Sequence, residues 1–67
     1  MRIGTRIDWT EDDGKVATGH VKSSEVKYNA NLGMDLTHIL IEWGDGQEDT
    51  QHTAESLARD HRVKVYE

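Results

Sequence analysis

Apolar and polar side chains alternate along most of the chain with a period of two, which is typical of half-buried β-strands. The pattern begins in residues 3–9, whose shared face consists of Ile3, Thr5, Ile7 and Trp9. It continues in residues 15–28, where we expect Gly19 to mark a bend or bulge. Within that segment, Ser23 and Ser24 are a candidate break that would divide the strand in two. The pattern therefore predicts a β-sheet from the start of the chain.

The middle of the chain predicts a hairpin. Residues 36–43 are rich in branched apolar side chains and lead directly into Gly44, Asp45 and Gly46, which tolerate the positive φ angles of a tight turn. Residues 28–35 predict a long loop before this strand. The polar residues 47–53 predict a strand at a sheet edge after it.

The last part of the chain predicts one helical turn and a final strand. Thr53 is a suitable N-cap for a turn ending near Ala58, and residues 61–67 carry Val63 and Val65 on one face. Five strands on so short a chain predict an all-β fold, a partly open barrel that forms a single domain over residues 1–67. Its predicted core is Ile3, Ile7, Val21, Ile39, Ile41, Leu57, Val63 and Val65.

Three segments together resemble a known family. Residues 4–9, residues 14–21 and residues 41–46, followed by Leu57 and a valine strand, stand in the order found in small SH3-like barrels of the Tudor and KOW type. The resemblance implies a five-stranded SH3-like barrel with one short helical turn before the last strand. Members of this family bind methylated peptides, other proteins, RNA or DNA, and are seldom enzymes.

The composition and charge of the chain exclude several kinds of function. The 67 residues carry a formal net charge of −5 and include no cysteine, so neither a disulfide nor a thiolate metal site is expected. The negative charge opposes non-specific binding to phosphate backbones. No apolar run approaches the ~20 residues that cross a bilayer. The first residues do not form a signal peptide, and we expect a cytoplasmic protein that uses no cofactor.

The candidate binding residues are aromatic and acidic side chains near predicted loops. Aromatic rings at a barrel rim can surround a cationic group, and nearby carboxylates add attraction. The period of two, however, places Trp9 and Trp43 on the core face, which favours a packing role. The four histidines are too widely spaced along the chain for a metal site, and we expect them to be solvated at the surface. The alternative is a weak site formed by His38 and His52 if they face each other across the central hairpin. No nucleophile motif is present. The candidate binding residues are Trp9, Asp12, Asp13, Tyr28, Trp43 and Asp45.

The sequence therefore predicts a small, non-catalytic binding module that contacts a basic surface of another protein through acidic loops and rim aromatics. A nucleic-acid-linked role is the alternative, either as an acidic mimic of DNA or by direct binding. Pairing of edge strands into a dimer stays open at this point. The basic residues considered for direct binding are Arg2, Arg6, Lys15, Lys22 and Lys27.

Overall fold

Five strands and one six-residue helix follow one another in the computed structural model, which describes all 67 residues. All pairings are antiparallel, and the strand order in the single sheet is β4-β3-β2-β1-β5. β4 and β5 stay at the two edges, so the sheet is open and is not a closed barrel. The elements are β1 (Arg6–Thr10), β2 (Val16–Asn29), β3 (Met34–Trp43), β4 (Thr50–Thr53), α1 (Ala54–Arg59) and β5 (Val63–Tyr66).

The core is small and lies on the inner face of the sheet under α1. Leu57 is the one buried residue that α1 contributes. Val63 and Val65 of β5 are half-buried and pack against the same cluster. Seven of the eight predicted core positions therefore lie in or against the core, which confirms the period-two interpretation of the strands. The fully enclosed cluster consists of Ile7, Val21, Ile39, Ile41 and Leu57.

Ile3 is the exception, and its placement in the first strand and the core is wrong. The Thr5 N–H donates to the Arg2 carbonyl at 3.1 Å, which closes a turn with Gly4 at its third position. Gly4 has a φ of +90°, which a type II turn requires there and which glycine adopts without strain. The turn leaves Ile3 71% exposed, while Met1 packs against the core.

β2 is continuous, so the candidate break at Ser23 and Ser24 is absent. The register with β3 instead shifts between Val21 and Ser23, which leaves Lys22 as the extra residue of a β-bulge. Gly19 is not the bulge. β2 pairs with β1 over residues 16–20 and with β3 over residues 19–29.

Two connections differ from the expectation, one being shorter and the other longer. The strands β2 and β3 meet at a four-residue turn, residues 30–33, where a longer loop was predicted. The polar edge strand is confirmed, but it begins at Thr50, and residues 47–49 precede it without strand structure.

Thr53 caps α1, as predicted, because its side chain accepts the Ser56 N–H at 3.1 Å. The helix extends one residue beyond the predicted end at Ala58, to Arg59.

The hairpin of β2 and β3 extends well beyond the rest of the sheet. β1 pairs with β2 only as far as His20, and β4 pairs with β3 only from His38 onward. We call the remaining part of the hairpin, residues 22–29 and 34–37, the hairpin arm. It accounts for the elongated shape, with principal extents of 36 × 22 × 21 Å.

Candidate functional site

Two tryptophans meet on the inner face, at the opposite end of the sheet from the arm. Trp9 of β1 lies opposite Ala17, and Trp43 at the end of β3 lies opposite Gly19. Their ring centroids are 6.5 Å apart with an interplanar angle of 79°, an edge-to-face geometry that aromatic pairs favour. The rings reach each other over β2 because the side chains there are the two smallest. Both indoles also pack against the core, as their phase in the sequence predicted.

His52 joins the tryptophans from the far edge of the sheet. Its ring centroid lies 5.5 Å from that of Trp9, although β4 and β1 are three positions apart in the strand order. In a flat sheet, that separation is about 14 Å between strand axes. The sheet is therefore strongly curled at this end, and its inner face forms a concave surface.

A chain of hydrogen bonds fixes these side chains relative to one another. The Trp43 indole N–H donates to the Thr50 hydroxyl at 2.7 Å, and the same hydroxyl lies 2.7 Å from His52 Nε2. Burial lowers the pKa of His52 below its ordinary value of 6.5, which favours the neutral imidazole. A neutral ring whose proton is on Nδ1 can accept the hydroxyl proton at Nε2, so the indole N–H of Trp43 and the hydroxyl of Thr50 each have an acceptor.

Two hollows open beside Trp43. One, of about 230 Å³, is lined by both tryptophans and His52. The other, of about 420 Å³, lies between the β1–β2 loop and the β3–β4 loop. Glu11, Ala17, Trp43 and Gln47 line both hollows, so the two form one continuous surface. We call this surface, defined by Trp9, Glu11, Trp43, Gln47 and His52, the aromatic cleft.

The two loops beside the aromatic cleft are strongly acidic. Residues 11–15 and 44–49 contain six carboxylates and a single lysine, Lys15. Asp45, at a φ of 64° in the β3–β4 turn, lines the larger hollow together with Glu11. The carboxylates of these loops are Glu11, Asp12, Asp13, Asp45, Glu48 and Asp49.

The predicted site residues divide into three groups. Trp9, Trp43 and Asp45 come together at the aromatic cleft. Asp13 and Asp12 lie in the adjoining loop: Asp13 accepts the Lys15 N–H at 2.9 Å, and Asp12 faces the hollow beside α1.

Tyr28 lies in the hairpin arm. The strand from Gly19 to Tyr28 spans about 30 Å at ~3.3 Å per residue, so a cage of Trp9, Tyr28 and Trp43 does not form.

Trp9 also contacts a cationic side chain of the same protein, Arg62. The Arg62 guanidinium lies 5.0 Å from the centre of a Trp9 ring, which is within cation–π range. Asp60 holds that guanidinium through an ion pair at 2.8 Å. The hydrogen bonds from Arg62 lower the pKa of Asp60 to about 2. His52, Trp43 and Arg62 therefore surround Trp9, which is only partly exposed.

Three residues that define the aromatic cleft were not among the predicted site residues: Glu11, Gln47 and His52. Thr50, which lines its smaller hollow, was not predicted either. Thr50 and His52 alternate along β4 opposite Ile41 and Ile39, which puts them on the inner face. The alternation of these two residues can be seen in the sequence, but polar side chains on an edge strand do not indicate which face of the strand is buried. The expectation of a solvated surface histidine is wrong for His52, which is half-buried against Trp9.

The basic residues considered for nucleic-acid binding are largely paired with carboxylates. Arg6 pairs with Asp8 at 3.1 Å, and Lys22 pairs with Asp49 at 2.9 Å. Lys27 and Lys15 have carboxylate oxygens of Glu25 and Asp13 within 3.7 and 3.9 Å, respectively. This pairing weighs against direct contact with phosphates, because each cation already has an anionic neighbour.

The acidic and histidine side chains do not converge on a metal site. No group of three or more histidine, aspartate or glutamate side chains is positioned to hold a metal ion. His38 lies opposite Thr53 and His52 opposite Ile39, so these two histidines are on different faces of the sheet.

The one helix is too short and too polar to cross a bilayer. Comparison of the chain with protein-family models, curated proteins and solved structures gave no match.

Proposed function

We propose that this protein is a non-catalytic binding module that recognises a basic segment of another protein through the aromatic cleft and its acidic loops. The observation that carries the proposal is the combination of two partly exposed indole rings with six carboxylates and one lysine in the flanking loops. Lysine and arginine side chains suit this surface, since their apolar stems pack on aromatic rims while their charges face the carboxylates.

We also propose that the fold belongs to the SH3-like class. Three features support it: the meander of β1 to β4, the return of β5 to pair with β1, and the short helix between β4 and β5. The curl that brings His52 to Trp9 supports it as well. Such small barrels serve many different functions, so the class of fold limits the function only loosely.

A titration with a short lysine- and arginine-rich peptide tests the proposal, with tryptophan fluorescence as the signal. Both tryptophans line the aromatic cleft, so we expect a saturable change that weakens as salt is added. An acidic peptide of the same length is the control ligand. No saturable change with the basic peptide, or equal binding of both peptides, would contradict the proposal.

Charge-neutral variants localise the binding. Asp45→Asn and Glu11→Gln each remove one carboxylate from the larger hollow, and we expect each to weaken binding about two- to fivefold, as for an exposed ion pair. Asp35→Asn is the matched control, because Asp35 is an exposed carboxylate in the hairpin arm. Equal losses for Asp35→Asn and Asp45→Asn would place the binding outside the aromatic cleft.

A further inference from the structure

One edge of β2 is free along the whole hairpin arm. β1 covers this edge only as far as His20, with two further backbone bonds that join Val21 to Gly4 and Thr5. From Lys22 to Asn29, β2 has a strand neighbour on the β3 side alone. An isolated two-stranded ribbon is only marginally stable in water, and its unpaired backbone groups are a template for another strand.

The backbone groups on the free edge are those of alternate residues. The Thr37 N–H points away from β2, since it donates to Glu55 Oε1 at 2.9 Å. The Asn29 carbonyl points into the hairpin, since it accepts the Gly33 N–H at 2.8 Å. In an antiparallel pair of strands, residue pairs that exchange backbone hydrogen bonds alternate with pairs that do not. Thr37 lies opposite Val26, so this pair forms no backbone hydrogen bonds within the hairpin, and the N–H and C=O of Val26 point to the free edge. The N–H and C=O groups on the free edge are therefore those of Ser24, Val26 and Tyr28.

The sequence of this edge is complementary to itself when two copies run antiparallel. With Val26 of each copy on a two-fold axis, Glu25 lies opposite the partner's Lys27, and Lys27 lies opposite the partner's Glu25. Ser24 then faces the partner's Tyr28. Val26, Ser24 and Tyr28 are the residues whose backbone groups point outward. In this register, all three residues of each copy therefore form backbone hydrogen bonds to the other copy. Opposite charges facing each other across strands stabilise such a pairing.

We propose that this free edge is a homodimer interface, in which two hairpin arms join into one four-stranded antiparallel ribbon. The apolar side chains of the arm support a second copy as the occupant. Val26 is 62% exposed and Tyr28 is 68% exposed. In the proposed register, each Val26 lies directly opposite its counterpart and diagonal to the partner's Tyr28, within reach of an aromatic ring.

The interface is remote from the aromatic cleft, so it extends the proposed function without depending on it. A dimer of this kind carries two aromatic clefts at its outer ends. A partner with two basic segments would then engage both clefts, and the second contact would form at a raised effective concentration. The pairing can be tested without any peptide ligand.

Charge reversal on the free edge tests the register. Glu25→Lys and Lys27→Glu each place like charges opposite each other at both pairs of the two-fold register. We expect each variant alone to dimerise at least about tenfold more weakly than the native protein. An equimolar mixture of the two variants should form a heterodimer, because every lysine of one variant then faces a glutamate of the other in both pairs. Sedimentation velocity from micromolar to millimolar concentration measures all of these species.

The controls distinguish an effect of the free edge on dimerisation from effects of net charge and of folding. The double variant Glu25→Lys/Lys27→Glu keeps the native net charge and should dimerise like the native protein. Glu48→Lys changes the net charge as Glu25→Lys does, but it lies in the exposed β3–β4 loop and should leave dimerisation unchanged. A native protein that stays monomeric to millimolar concentration would overturn the proposal. A mixture of the two single variants without heterodimer would overturn the register.

Hydrogen exchange gives a second, residue-specific measurement. At high concentration, the amides of Ser24, Val26 and Tyr28 should exchange at least about tenfold more slowly than at low concentration. The amides of Glu25 and Lys27 face β3 and should not respond to concentration. Val26→Pro removes one outward N–H while leaving the bonds to β3 in place, and it should abolish the concentration effect. Equal behaviour of both sets of amides would contradict the pairing.

Discussion

At the scale of single residues, Gly19 is the one glycine whose position leaves no room for a side chain. A Cβ atom there would lie 2.7 Å from Ile41 Cγ2 and 2.8 Å from both the Glu42 carbonyl oxygen and Trp43 Cε3. The carbonyl belongs to the paired strand and cannot move aside without breaking the ladder. Gly19→Ala is therefore expected to lower the free energy of unfolding by about 1–3 kcal/mol, as overpacking does. Urea denaturation measures the change.

Gly44→Ala is the matched control for Gly19→Ala. No atom lies within 4 Å of the corresponding Cβ position at Gly44, and its φ is not among the positive values. Its effect should stay within about 0.5 kcal/mol. If both variants lost the same stability, crowding at Gly19 would not be the cause.

His52 makes stability depend on pH. The unfolded chain binds a proton at this residue near pH 6.5, whereas the folded protein binds it only at lower pH, because burial lowers the pKa. Between the two values the unfolded state holds more protons, so stability rises with pH across that interval. As pH falls through it, the stabilisation associated with the neutral ring is lost, and below the folded pKa the dependence ends.

The measurement for His52 compares urea midpoints at about pH 7 and about pH 5. The native protein should be less stable at the lower pH, and His52→Gln should show a smaller decline because glutamine does not titrate. His20→Gln is the control, since His20 lies on the exposed outer side of β2. An equal decline in the native protein and His52→Gln would show that other groups carry the pH dependence.

At the scale of secondary-structure elements, α1 depends on its cap. A six-residue helix is far too short to be stable alone, and Thr53 satisfies one of its free N–H groups through the bond to Ser56. Thr53→Ala should cost about 1 kcal/mol of stability, whereas Thr53→Ser keeps the hydroxyl and should cost much less. Thermal unfolding followed by circular dichroism distinguishes the two. Equal melting temperatures for Thr53→Ala and the native protein would contradict the role of the cap.

The strands could be predicted from sequence where a buried face imposes a period of two. Ile7, Val21, Ile39 and Ile41 follow that rule and are buried. Ile3 has the same phase, but the turn at Gly4 removes it from the strand. The bulge at Lys22 is not visible in the pattern, since polar residues on both faces of β2 give no register signal at that point.

The candidate site was predictable only where it shares the inner face with the core. Trp9 and Trp43 are in phase with Ile7 and Ile41, and they meet. Tyr28 follows the Lys22 bulge and lies in the arm, which no local pattern places relative to the tryptophans. His52 reaches Trp9 only because the sheet curls, and curl arises from the whole sheet rather than from one segment.

At the scale of the whole molecule, charge governs solubility. The formal net charge is −5 with neutral histidines, and protonation of all four histidines would reduce it to −1. Self-repulsion then falls, so turbidity should rise as concentrated protein is acidified from about pH 8 to about pH 5. The same scan at high salt is the control, because screening removes repulsion at every pH. Flat turbidity at low salt would contradict this expectation.

The pairing of β1 with β5 has a consequence for the order of folding. Arg6 lies opposite Tyr66, so this contact closes nearly the whole chain into one loop, whereas β2 and β3 meet across a four-residue turn. Closing the longer loop costs more chain entropy, and contacts of long sequence separation slow folding. We expect the central hairpin to form early and β5 to dock last. By the same reasoning, we expect β5 to detach first during unfolding, which would expose the core to solvent.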